Sequence, residues 1–153
     1  MIKKKASLGV TMIELLVVLA ILVAMLFVAV SSFSRFRTGA AISDSKEKIM
    51  LALSRARSRT LASENGNVYG VHFQPDKAVL FTGSSYATTS VSNEPYLFDV
   101  RAPIYRITIA GGSNVVFKRL TGETTNTGTV VLRSYSDKWL WSTTTISASG
   151  IIE

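Results

Sequence analysis

The chain has 153 residues, with 17 lysines and arginines, 10 aspartates and glutamates, and no cysteine. This length suits one domain of ordinary size, and the lack of cysteine excludes a disulfide framework, a thiol nucleophile and a thiolate metal site. Without Lys3, Lys4 and Lys5 the net charge falls from +7 to +4, which is 14 minus 10. That surplus is too small to argue for nucleic acid by itself.

The first predicted element is an apolar helix near the N-terminus. Residues 15–30 are all apolar, and residues 10–30 contain only two polar side chains, Thr11 and Glu14. As a helix, this stretch spans about 30 Å, which matches the hydrocarbon core of a bilayer. A carboxylate in such a stretch costs roughly 2.5–3.5 kcal/mol on insertion scales and needs a partner.

Two ordinary interpretations of this N-terminus compete. A cleaved signal peptide would have its cut after Ser31, although the apolar run exceeds the usual length of about 7–15 residues. A plain membrane anchor would be oriented by Lys3, Lys4 and Lys5, which hold the leader on the cytoplasmic side. Neither interpretation gives Glu14 a role.

The helix is predicted to continue past the membrane, from about Val10 to Ser63, because no proline occurs before Pro75. A stripe of small and apolar side chains recurs at helical spacing. The stripe consists of Ile42, Ile49, Leu53, Ala56 and Thr60. Asn65-Gly66 is a natural stop. This distal half is therefore predicted to be amphipathic and to face a domain.

Arg55, Arg57 and Arg59 occupy alternate positions near the end of this helix. Alternate positions on a helix face different directions, so we expect a solvated flank. A role in subunit contacts or anion binding is the alternative.

After Gly66 the pattern changes to strand-like alternation. The predicted strands cover residues 67–73, 77–83, 96–101, 104–109, 115–120, 129–134 and 139–147. Gln74-Pro75-Asp76 is predicted to be a hairpin turn, and no helical spacing appears between the strands. The predicted fold class is therefore α+β, with one long N-terminal helix packed on an antiparallel β-sheet.

The sequence carries no pattern typical of catalysis. His72 is the only histidine and lies in a predicted strand, where we expect a structural role. Asp76 and Asp137 are predicted at turns and Asp99 in a strand, and no metal-ligand spacing or phosphate-binding loop is present. No enzyme activity, metal or cofactor is predicted.

Trp139 and Trp141 stand two apart and share one face of a predicted strand. We predict core packing for them, with a partner or sugar surface as the alternative.

The segment GVTMIELLVVLAIL resembles the processing site of type IV prepilins and type II secretion pseudopilins. The resemblance implies a leader of residues 1–9 ending at Gly9, cleavage by a prepilin peptidase on the cytoplasmic side, and N-methylation of Val10. Phenylalanine is commonest at the position of Val10 in that family. Glu14, five residues after Gly9, matches the family's hallmark glutamate, and Thr11 belongs to the same motif.

This resemblance implies how Glu14 acts. The cut leaves a positive amine on Val10, and in a filament the amine of one subunit lies near the Glu14 carboxylate of its neighbour. The alternative is that Glu14 merely extends to the lipid headgroups. The implied partners are the peptidase, which is also the N-methyltransferase, other pilins or pseudopilins through their N-terminal helices, the inner-membrane assembly platform, and membrane lipid.

The remainder of the chain loosely resembles the minor pseudopilins of the GspH/FimT type, in ALSRARSRTLASENGNVYGVHF and in the C-terminal stretch. This implies residues 10–34 as the membrane and filament-core half of the helix. Residues 35–153 would form a globular domain in the periplasm or outside the cell. The implied function is that of a filament subunit anchored in the inner membrane. Alternatives are a major pilin, a DNA-uptake pilin or a membrane-anchored binding module. Nucleic acid is not expected as a partner, because the tail after Arg133 contains no arginine that could contact phosphate.

Overall fold

The computed structural model describes residues 10–153, apart from the side chain of Ser31. Helix α1 is Met12–Leu61 and is followed by a 3₁₀ turn at Glu64–Gly66. The strands are β1 Tyr69–Gln74, β2 Lys77–Thr82, β3 Glu94–Leu97, β4 Ile104–Ile109, β5 Asn114–Val116, β6 Gly128–Arg133 and β7 Trp141–Ile146. The chain divides into two compact units, one ending at Arg37 and the other Thr38–Glu153. The predicted α+β class is confirmed.

The strands form two antiparallel sheets. Sheet A has the order β3-β2-β1-β5, and sheet B has the order β4-β6-β7. The predicted hairpin turn is confirmed, because Gln74 pairs with Lys77 across Pro75 and Asp76. The alternation in the sequence predicts the strands but does not predict that they divide into two sheets.

One hydrophobic core joins the distal half of α1 to both sheets. The helix contributes most of the predicted stripe, since Ile49, Leu53, Ala56 and Thr60 are completely buried, whereas Ile42 packs in a second, smaller cluster with Ala41 and Ala102. Sheet A contributes Val71 and Leu80, and sheet B contributes Val130, Leu132 and Ile146. The helical spacing of the stripe therefore places its apolar face on the sheets, as predicted.

The end of α1 is joined to β1 through Thr60. Its hydroxyl donates to the carbonyl of Ala56 at 2.8 Å and accepts the backbone N–H of Tyr69 at 2.9 Å. The hydroxyl is thus satisfied although the residue is buried. Asn65 and Gly66 have positive φ, at 50° and 69°, so the predicted stop turns the chain from the helix into the sheet.

Two strands differ more than the others from their predicted bounds. The strand predicted at residues 96–101 lies at Glu94–Leu97, and Asp99 is in a loop. The Asp99 carboxylate accepts the backbone N–H of Arg101 at 2.9 Å, and this local bond favours a turn over a strand. The strand predicted at 115–120 ends at Val116, before a turn in which Leu120 has φ of 70°.

The C-terminal residues fold back along β7. Thr145 and Glu153 exchange two backbone hydrogen bonds, at 2.8 and 3.1 Å, and the N–H of Ser147 donates to Ile151 at 3.0 Å. Gly150 has φ of 73° in the turn between them. The outer edge of β7 is therefore paired at this end.

Candidate functional site

The N-terminal turn of α1 is stabilised by Thr11 and Glu14. The hydroxyl of Thr11 accepts the backbone N–H of Glu14 at 3.2 Å, and the Thr11 carbonyl accepts the N–H of Leu15 at 3.2 Å. Thr11 is therefore the N-cap, and Thr-x-x-Glu is the spacing of a capping box. This role was readable from the sequence but was not predicted.

The side chains that follow are apolar and exposed. The large apolar side chains of residues 10–30 are between 49% and 82% exposed. Among residues 10–153, α1 is the helix long and apolar enough to cross a membrane. Exposing so much apolar surface to water is unfavourable, so this stretch needs lipid or another protein around it.

Glu14 is the single charged residue in this stretch. Its carboxylate is exposed, and no cation among residues 10–153 lies within ion-pair distance. The leader residues predicted to direct processing and orientation, Gly9 with Lys3, Lys4 and Lys5, lie outside the described residues. Among residues 10–153, the backbone N–H of Glu14 is therefore hydrogen-bonded, whereas its carboxylate has no charge partner.

The solvated flank predicted at Arg55, Arg57 and Arg59 is wrong for Arg57 and Arg59, which are half-buried, whereas Arg55 is exposed. Arg57 donates from Nε to the carbonyl of Gly122 at 3.1 Å and from Nη2 to that of Ser149 at 3.4 Å. A Cβ added at Gly150 would lie 2.9 Å from Arg57 Nε and 2.1 Å from the Gly122 carbonyl oxygen. The absence of a side chain at Gly150 therefore lets the loop, the C-terminal turn and the helix meet.

Arg55 and Arg59 project to β3 instead. Arg55 donates to the hydroxyl of Tyr96 at 3.0 Å, and Arg59 forms an ion pair with Glu94. Four residues of helix rise about 6 Å and two residues of strand about 6.6 Å, so both contacts form in register. The hydrogen bond that Arg59 donates to the Glu94 carboxylate raises the pKa of Arg59, and the charges of Glu94 and Glu64 act in the same direction. The arginines do face different directions, as predicted, but each contacts the folded domain.

The predicted core packing of Trp139 and Trp141 is also wrong. Trp139 precedes β7 and is 90% exposed, and Trp141 is 62% exposed. In β7 the buried side chains are Thr144 and Ile146. Since strand side chains alternate, Trp141 must lie on the opposite, outer face of sheet B.

His72 has packing contacts. Its ring stacks on Tyr86 with centroids 4.0 Å apart, and Nδ1 lies 2.6 Å from the Asn114 side-chain oxygen. Within the described part of the chain, no group of three His, Asp or Glu side chains is placed to hold a metal ion. These contacts match the structural role predicted for His72.

A groove runs between the exposed side of α1 and the C-terminal residues. It has a volume of about 690 Å³ and is lined by Met50, Leu51, Leu61 and Ile151 among others. These four side chains are 37% to 54% exposed. The folded domain thus has an exposed apolar groove alongside its helix.

No protein-family model, no curated protein and no solved structure matches this chain. The architecture must therefore be interpreted from the chain itself. A long N-terminal helix followed by antiparallel sheets fits a pilin-like architecture.

Proposed function

We propose that this chain is a structural subunit of a filament of the type IV pilin superfamily, most similar to a minor pseudopilin. A prepilin peptidase would cut after Gly9 and methylate Val10. The α1 segment would then hold the subunit in the inner membrane, with the folded domain outside the cytoplasm. Neighbouring subunits would later surround the same segment in a periplasmic or cell-surface filament.

One observation carries this proposal, the position of Glu14. It is a carboxylate in the first turn of an exposed apolar helix, without a charge partner among residues 10–153. A plain anchor or signal peptide gains nothing from it, because the charge opposes insertion. A subunit that docks beside another copy of the same kind of helix gains a specific contact.

That contact is an ion pair between subunits. Cleavage after Gly9 converts the nitrogen of Val10 into a positive amine, and the Glu14 of a neighbour is its counter-charge. At a separation of about 4 Å and an effective dielectric constant near 20, the attraction is about 4 kcal/mol. Leaving one charge of a buried pair unpaired costs about 3–5 kcal/mol, so the pair selects one axial register between helices.

The exposed apolar side chains supply the remaining contact area. In the membrane they contact lipid, and in a filament they contact neighbouring helices. The transfer requires no refolding, because the same surface is exposed in the single chain.

The test is a comparison of Glu14→Gln, Glu14→Asp and Glu47→Gln in cells that assemble the filament. Glu47 is an exposed carboxylate of the same helix in the folded domain and serves as the matched control. The chain has no cysteine, so a cysteine introduced by Val23→Cys gives a unique site for crosslinking to partner subunits.

We expect all three variants to be processed, because Glu14→Gln inserts more easily without its charge, Glu14→Asp keeps the charge of the parent chain, and Glu47→Gln lies outside the apolar stretch. Glu14→Gln should lose the crosslinks, Glu14→Asp should retain part of them, and Glu47→Gln should behave as the parent chain. If Glu14→Gln is processed and crosslinks normally, the carboxylate is not an assembly contact. Extension of Glu14 to the lipid headgroups would then be the better account.

A further inference from the structure

The outer face of sheet B is shaped by a β-bulge at Tyr105. Ile104 pairs with Leu132 and Arg106 with Val131, so Tyr105 is an extra residue in β4. Regular alternation would turn Arg106 toward the core, whereas the bulge places Tyr105 and Arg106 on the outside together. Both are exposed, at the edge of the sheet.

The register brings a second aromatic group beside this pair. Arg133 of β6 pairs directly with Trp141 of β7, and cross-strand neighbours of this kind contact each other. The guanidinium of Arg133 lies 3.4 Å from the centroid of the Tyr105 ring, and that of Arg106 lies 5.7 Å from it. Aromatic and cationic groups therefore alternate across the strands.

The loop of residues 134–140 adds a third aromatic group and is internally bonded. The carboxylate of Asp137 accepts the backbone N–H of Trp139 at 3.0 Å, and the N–H of Ser134 donates to Leu140 at 3.0 Å. The indole of Trp139 is nevertheless 90% exposed. The loop backbone is therefore held by hydrogen bonds, and the indole ring is open to contact with a ligand.

We name the basic–aromatic face by six residues, Tyr105, Arg106, Arg133, Lys138, Trp139 and Trp141. Within residues 10–153 its three cations form no ion pair with a carboxylate. Arg133 and Lys138 line a cleft of about 410 Å³ together with Tyr105 and Tyr135. Arg133 already stacks on one side of the Tyr105 ring, and the face therefore offers unpaired positive charge together with the exposed indoles of Trp139 and Trp141.

A row of hydroxyl groups continues the face. Thr108, Thr129 and Thr145 are mutual neighbours across the three strands, and each hydroxyl can donate and accept hydrogen bonds. Val131 is the only aliphatic side chain in the outward rows, since its neighbours on either side are Arg106 and Thr143. Apart from Val131, the outward rows therefore present hydroxyl, aromatic and basic side chains.

We propose that the basic–aromatic face binds an acidic polysaccharide. Indole and phenol rings stack on the apolar C–H faces of sugar rings, threonine hydroxyls bond the sugar hydroxyls, and Arg106, Arg133 and Lys138 pair with carboxylates. The platform measures about 10 Å across three strands and about 13 Å along three rows, which accommodates a short run of sugars. The row of threonine hydroxyls favours a sugar chain, which carries hydroxyl groups on every ring, over single-stranded nucleic acid, whose affinity comes mainly from contacts to its phosphates.

This proposal can be tested on the full chain in detergent micelles. Both tryptophans of the sequence belong to the face, so intrinsic fluorescence reports directly on its occupancy. The probes are alginate oligosaccharides, which are chains of uronic acids, neutral cello-oligosaccharides of equal length, and oligo(dT). We expect alginate to change the fluorescence and to bind at least about fivefold more tightly than the other two, with an affinity that falls as salt rises.

Trp141→Ala and Lys138→Gln should each weaken alginate binding by about fivefold or more. Their side chains are exposed, so circular dichroism should remain that of the parent chain. Arg119→Gln is the matched control, because Arg119 is an exposed arginine in the loop after β5, and it should bind as the parent chain does. No binding, equal binding of the neutral sugars, tighter binding of oligo(dT), or variants that bind as the parent does would each overturn the proposal.

Discussion

Arg57→Ala tests whether the arginine contacts of α1 support the fold. The substitution removes the bonds to the carbonyls of Gly122 and Ser149. A hydrogen bond from a charged donor contributes about 1.5–3 kcal/mol, and the 3.4 Å bond to Ser149 is long and exposed, so it adds little. We expect a loss of about 2 kcal/mol, because the residue Gly122 is buried and its carbonyl would lose a partner.

The size of the folded unit converts this loss into a temperature. Thr38–Glu153 is a unit of roughly 115 residues, and an unfolding entropy near 2.1 cal/mol/K per residue gives about 0.24 kcal/mol/K. A loss of about 2 kcal/mol then lowers Tm by about 8 °C.

The assay is thermal and urea unfolding of residues 35–153, followed by circular dichroism. Arg57→Lys keeps the charge but loses the planar fork, so its Tm should lie between those of the parent and Arg57→Ala. Arg119→Ala, at an exposed arginine, should stay within about 0.5 kcal/mol of the parent. If Arg57→Ala is as neutral as Arg119→Ala, the guanidinium does not support the fold and the originally predicted solvated flank is the better description.

Three further outcomes are expected. The intact mass of the membrane-extracted protein should show loss of residues 1–9 and one added methyl on Val10. Replacing Gly9 by a bulky residue should leave the precursor uncut. A cut after the apolar run would instead indicate a signal peptide. Residues 35–153 should be soluble and monomeric, since the helix stripe is already buried on the sheets, and aggregation would contradict the core assignment. Gly150→Ala should lower the unfolding free energy by at least about 2 kcal/mol. The reasons are that φ of Gly150 is 73° and that the new Cβ would lie 2.1 Å from the Gly122 carbonyl oxygen. An unchanged urea midpoint would show that the turn can rearrange.

Local signals predicted the elements of this fold well. The strand predicted at residues 104–109 has those bounds, and the turn at Pro75 and Asp76 joins β1 to β2. The helix stripe is buried because a helical period of apolar residues is a property of the chain alone. Each of these features depends on neighbours within a few positions.

Features that depend on distant partners were not predictable in this way. Alternation indicates that two faces exist, but not which one is buried, and in β7 the buried face contains Thr144 while the larger Trp141 points outward. The bulge at Tyr105 reverses, from Arg106 onward, which side chains of β4 face the core and which face outward. The carbonyl groups that Arg57 contacts are 65 and 92 positions away in sequence.

The features of the candidate site can likewise be separated into local ones and ones that depend on the folded structure. The cap formed by Thr11 was available in the Thr-x-x-Glu spacing and needed no structure. The exposure of the apolar side chains that follow Glu14 is a tertiary property, because an apolar helix of this length can also be the buried core helix of a domain.

The pairing of the C-terminal residues with β7 limits how two of these domains can join edge to edge. Exposed sheet edges recruit strands from other molecules and lead to aggregation. At Thr145 and Ser147 the backbone groups of β7 are already bonded to Glu153 and Ile151, so a foreign strand would have to displace them. β4 is the other terminal strand of sheet B, and its bulge interrupts the straight run of backbone groups that a foreign strand requires. Both terminal strands of sheet B therefore resist pairing with a strand of another molecule.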